Sequence, residues 1–127
     1  MRDAAAKGLD LARKVDGDAV IKRVLDDLNA IDPALGTYFL DSSFGRIYSR
    51  PALDLKTREL IMVAALTVLG ETDALKTHVL GARRCGATSE EIYETIVHTY
   101  LVIGWPRALK AIRAARSVLP PARPGRR

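Results

Sequence analysis

Two histidines, one cysteine and fifteen acidic side chains make up most of the acid–base and nucleophilic inventory of this 127-residue chain. His78 follows Leu75 by three positions and precedes Ala82 by four, which places it at the edge of the inward stripe of a helix. An imidazole there needs a hydrogen-bonding partner, because an unpaired buried polar group is costly, and a paired one is either a structural histidine or a proton carrier. Glu59 stands five residues into a helix whose later part is apolar throughout. A carboxylate in that position must also find a partner, for which Lys76 or an arginine is one solution. Cys85 shares the face of His78, but two turns separate them by about 10.5 Å along the axis, so a direct dyad is excluded and Cys85 reads as a packed thiol. Glu94 and His98, four apart, point away from the stripe Ile92, Ile96, Tyr100, Ile103 and read as an exposed or interfacial pair. Glu71 opens a helix, where the dipole favours a carboxylate.

The elements that must position these groups are all helical. Spacings of three and four recur along the chain, and alternating strand patterns do not. Ala4 to Val15 and Asp18 to Ile31 form the first two helices. Pro33 opens a third that runs to about Tyr48 and is stopped by the Arg50-Pro51 step. Asp54 reads as the cap of the fourth helix, about Leu55 to Leu69, which ends at Gly70. Its segment from Leu60 to Leu69 is apolar on every face and must be covered all round, which predicts an oligomer. A fifth helix runs from Thr72 or Asp73 to Cys85-Gly86. Thr88-x-x-Glu91 is a capping-box pattern opening a sixth that reaches Gly104, and Pro106 starts a seventh through Leu119. The expectation is one all-α, bundle-like domain over residues 1–119 with about six to seven helices, followed by a disordered, basic, Pro-rich tail at 120–127.

Composition narrows the function classes. The single cysteine excludes an intrachain disulfide, a Cys-x-x-Cys redox pair and a Cys-rich zinc site, and it fits a reducing, cytoplasmic setting. The longest apolar run is about half the ~20 residues of a membrane span, and Met1-Arg2-Asp3 begins no apolar signal region, so no membrane partner is expected. The net charge is +5, but three of the arginines lie in the closing stretch, leaving +2 elsewhere. With no interleaving of aromatic and basic residues, a nucleic-acid partner is not expected.

The runs Phe44-Gly-Arg-Ile-Tyr-Ser-Arg-Pro-Ala-Leu-Asp-Leu-Lys-Thr-Arg-Glu-Leu60 and Leu75-Lys-Thr-His-Val-Leu-Gly-Ala-Arg-Arg-Cys-Gly-Ala-Thr-Ser-Glu-Glu-Ile92, extended by Gly104-Trp-Pro106, resemble the carboxymuconolactone decarboxylase family. The resemblance spans nearly all of residues 1–119. It implies an alkylhydroperoxidase D-like helical fold that assembles into trimers or hexamers, with sites near subunit contacts. In the peroxidase branch, a Cys-x-x-Cys-x-x-x-His motif works with an upstream glutamate. Aligned through His78, the two cysteine positions are Glu71 and Ala74 here, so dithiol chemistry is absent while Glu59 and His78 keep the relay positions.

For the decarboxylase branch the resemblance implies a cofactor-free, metal-free conversion of 4-carboxymuconolactone to 3-oxoadipate enol-lactone and CO2 in aromatic catabolism. His78 would then act as general acid and Glu59 would orient or reprotonate it. Arg50 or Arg58 would bind carboxylate or lactone oxygen, with Glu71 and Trp105 lining the substrate site. Two alternatives remain. One is a related proton-transfer or alkylhydroperoxidase-like enzyme with another substrate. The other, of a different class, is a non-catalytic oligomeric or nucleic-acid-binding helical module, for which pI 9.7 is the main support.

Overall fold

The computed structural model describes residues 3–120, and the expected tail from residue 121 onward lies outside the described residues. Every regular element among them is helical: α1 (Ala4–Asp16), α2 (Asp18–Ile31), α3 (Pro33–Phe39) continuing into a π-helical segment (Leu40–Ile47), α4 (Leu55–Leu69), α5 (Thr72–Arg84) and α6 (Ser89–Arg116). The chain divides into two compact units, residues 1–55 and 56–127.

In the first unit, Asp3 caps α1 by accepting from the backbone N–H of Ala6 at 2.7 Å, and Asp32 caps α3 by accepting from Ala34 at 2.8 Å. The third helix was expected to be α-helical to about Tyr48, but from Leu40 it widens to the five-residue repeat, closing with Tyr48 N–H donating to Ser43 C=O at 2.8 Å. Side chains five apart now share a face. The Arg46 guanidinium donates to Asp41 at 2.9 Å, and Phe39 meets Phe44 edge-on with ring centroids 6.0 Å apart. The segment packs on α1 through two glycines: a Cβ at Gly8 would overlap the carbonyl oxygen of Leu40, and one at Gly45 that of Ala4. Only glycine permits so close a backbone approach.

The second unit is built from α4, α5 and α6. Its core holds Val63 of α4, Leu75, Val79 and Ala82 of α5, and Ile92, Ile96, Ala111 and Ala115 of α6. The expected capping box is present: Thr88 Oγ1 accepts from Glu91 N–H at 3.0 Å, and the Glu91 carboxylate accepts from Thr88 N–H at 2.9 Å. Glu91 also meets the Lys56 ammonium at 2.7 Å. That bond first, and the Thr88 amide second, hold its carboxyl below the ordinary range.

The sixth and seventh helices expected from sequence form one element broken at Gly104, whose φ of 74° and ψ of 174° lie where only glycine sits comfortably. Pro106 follows in the first turn of the second half. Beyond the break, the Arg107 guanidinium donates to Val68 C=O at 2.7 Å and the Lys110 ammonium to Gly70 C=O at 3.2 Å, supplying cations to the C-terminal end of α4. The fourth helix is not covered all round within the chain. It buries Glu59, Val63 and Thr67 and leaves Ile61 and Leu69 exposed.

Candidate active site

The buried line of α4 runs at steps of four through Glu59, Val63 and Thr67. Val63 joins the core, and the Thr67 hydroxyl donates to the Val63 carbonyl at 2.8 Å. That leaves Glu59 as the ionisable member of the line, with none of its surface exposed. On α5, Leu75, Val79 and Ala82 fill the core and set the rotation of the helix. His78 lies between them in register, at the margin of that face.

These two constraints bring Glu59 and His78 together: His78 Nδ1 lies 2.9 Å from Glu59 Oε1. The imidazole is therefore a partner of Glu59. An ionised carboxylate only accepts, so against it Nδ1 carries the proton. The burial of the two groups differs in a useful way. The histidine side chain keeps 15% exposure while the carboxylate side chain has none. One end of the pair can meet a substrate, and the other is held in place by the protein.

The remaining candidates are spread more widely. Arg58, half-buried, precedes Glu59 on α4. Arg50 is exposed in the turn after the π-helical segment, in the first unit. Glu71 occupies the N-cap position of α5, is exposed, and makes no side-chain cap bond. Trp105 is 49% exposed and stacks on Tyr100 with ring centroids 4.2 Å apart.

Tyr100 itself departs from the inward stripe expected for it. Thr99 is buried in its place and Tyr100 is exposed. The stripe of three- and four-residue steps from Ile96 fits either residue, and the break at Gly104 folds Trp105 back onto Tyr100. Cys85 is a free, half-buried thiol, and Glu94 and His98 are both exposed.

Comparison with known proteins converges on one family. The profile of the carboxymuconolactone decarboxylase family matches residues 33–117. The 4-carboxymuconolactone decarboxylase of Acinetobacter baylyi is 31% identical over 112 residues, covering 88% of this chain and 84% of that protein. An uncharacterised 15.0 kDa protein of Paracoccus denitrificans is 36% identical over 97 residues, 72% of each chain. A nitrosuccinic acid decarboxylase of Metarhizium robertsii is 24% identical over 106 residues, covering 84% of this chain and 74% of that protein.

Proposed function

Since the chain belongs to the carboxymuconolactone decarboxylase family, we propose that it is a decarboxylase of a small anionic lactone, with 4-carboxymuconolactone as substrate and 3-oxoadipate enol-lactone and CO2 as products. The observation that carries this reading is the hydrogen bond between buried Glu59 and half-buried His78.

The chemistry requires two things of a protein. When the carbon–carboxylate bond breaks, its electron pair spreads through the unsaturated ring to the lactone carbonyl, so the anionic oxygens must be stabilised. A proton must then be delivered to the ring carbon next to that carbonyl. His78 supplies the proton from Nε2, while Glu59 fixes the ring through Nδ1 and stabilises the charge of the protonated imidazole. Arg58, next to Glu59 in sequence, binds carboxylate or lactone oxygen. Glu71 and Trp105 carry no step of this mechanism.

Assembly belongs to the same reading. The exposed Ile61 and Leu69 of α4 are the face on which copies of the chain would pack.

The test is to add the protein to freshly generated 4-carboxymuconolactone and follow ultraviolet absorbance together with CO2. One CO2 per lactone consumed is the expected result, and it is expected to be unaffected by thiol-blocking reagents. A folded protein that releases no CO2 from this substrate would contradict the assignment. The relative that acts on nitrosuccinic acid directs the search from there to other small carboxylic acids.

A further inference from the structure

The contact between Glu59 and His78 joins two helices, so each helix has to be held in rotation and height for the side chains to meet. The element that touches both is α6. Its Ile92 and Ile96 share the core with Leu75 and Val79 of α5 and with Val63 of α4. One residue before Ile92 stands Glu91, whose two carboxylate oxygens have separate partners. Oε1 accepts from Thr88 N–H at 2.9 Å, and Oε2 meets the Lys56 ammonium at 2.7 Å. The capping box therefore fixes the carboxylate to which Lys56 is tied.

Lys56 is unfavourably placed for its own helix. It lies in the first turn of α4, which carries no acid, and the positive end of a helix disfavours a cation. The ion pair with Glu91 offsets that. On a 100° wheel Lys56 falls within about 60° of Glu59, Val63 and Thr67, so it stands at the head of the buried line of α4. Glu59 is one turn further in, between the tie to Glu91 on one side and Val63 in the core on the other. Without the tie, Glu59 is held from the Val63 side alone, close to a helix end, where fraying costs least.

We propose that Lys56 is a positioning residue: its ion pair with Glu91 sets the first turns of α4 so that the Glu59 carboxylate faces Nδ1 of His78. Lys56 acts through Glu59 and takes no part in the chemistry itself. The inference rests on the pair that carries the proposed function, and not on the choice of substrate. A partly exposed ion pair adds little to stability, so the effect is to be sought in the imidazole rather than in the melting temperature.

The chain has two histidines, His78 and His98, and the ring nitrogens of both are followed by heteronuclear NMR through the non-exchanging ring protons, at a pH where both rings are neutral. A neutral imidazole free in water carries its proton mainly on Nε2, whereas one held by a carboxylate at Nδ1 carries it there. The wild-type protein is expected to show His78 protonated at Nδ1, with the exposed His98 as internal reference. Lys56→Met is expected to lose that signature, His78 passing to a mixture of tautomers, and Lys56→Arg to keep it. Glu91→Gln still accepts from Thr88 N–H and so preserves the capping box. It is expected to match Lys56→Met, and the double variant Lys56→Met with Glu91→Gln is expected to go no further than either single exchange.

A His78 that stays protonated at Nδ1 in Lys56→Met or in Glu91→Gln would overturn the proposal. So would loss of the signature in Lys56→Arg. A large fall in melting temperature accompanying the loss in both Lys56→Met and Glu91→Gln would make the ion pair a general fold contact, and would overturn it as well. Failure to release CO2 from the lactone bears on the proposed substrate alone, since this readout uses none.

Discussion

Exchanging His78→Gln is expected to lower kcat by about 10²–10⁴-fold while leaving the thermal transition close to that of the parent protein. Glutamine keeps a polar, hydrogen-bonding side chain at the margin of the α5 stripe, so the core residues Leu75, Val79 and Ala82 have no reason to move. It has no ring nitrogen that exchanges a proton near neutral pH. The companion exchange Glu59→Gln retains a hydrogen-bonding group opposite Nδ1 at the 2.9 Å contact and removes the charge. If Glu59 acts by holding and stabilising the imidazole, kcat falls with little change in KM, and the pH profile of kcat shifts. A carboxylate that only fills space would instead lower the melting temperature and leave the pH profile where it was. Wild-type turnover by the His78 variant would refute the assignment of the acid.

The largest effect on stability is expected at a glycine in the first unit. Gly8→Ala places a methyl group against the Leu40 carbonyl and within 2.9 Å of the Gly45 backbone nitrogen. Both are backbone atoms and cannot rotate away, so α1 must separate from the π-helical segment. A loss of about 3 kcal/mol is expected, at the upper end of ordinary overpacking. For a domain of this size that is on the order of 10 °C in Tm. Thr37→Ala on the exposed side of α3 serves as the control and is expected to move Tm little. A Gly8→Ala protein that melts with the control would show that the close approach of the two backbones is not required for the fold.

The helices were legible because each signal is local: Asp and Thr at caps, the Thr88-x-x-Glu91 box, Pro at first turns, and apolar residues at three- and four-residue steps. Glu59 and His78 were legible as candidates for a related reason, since each is a polar residue on or beside a buried stripe. Their meeting was not legible, because the residues are nineteen apart on different helices and the rotation of both helices has to be known. The π-helical segment was missed because the expected repeat was 3.6 residues. The pairs Asp41 and Arg46, and Phe39 and Phe44, each five apart, are the trace it leaves in the sequence. Gly8 and Gly45 give no such trace; a glycine inside a helical pattern records only that something approaches closely, and not what.

The source of the proton after CO2 leaves decides the mechanism. The decisive measurement is decarboxylation of 4-carboxymuconolactone in D2O, with the product analysed at early times for deuterium at the ring carbon next to the lactone carbonyl. Delivery from His78, held by Glu59 on one side of a bound ring, predicts one deuterium on a single face of that carbon. Deuterium distributed equally over both faces would mean that solvent protonates a released intermediate, and would contradict His78 as the acid.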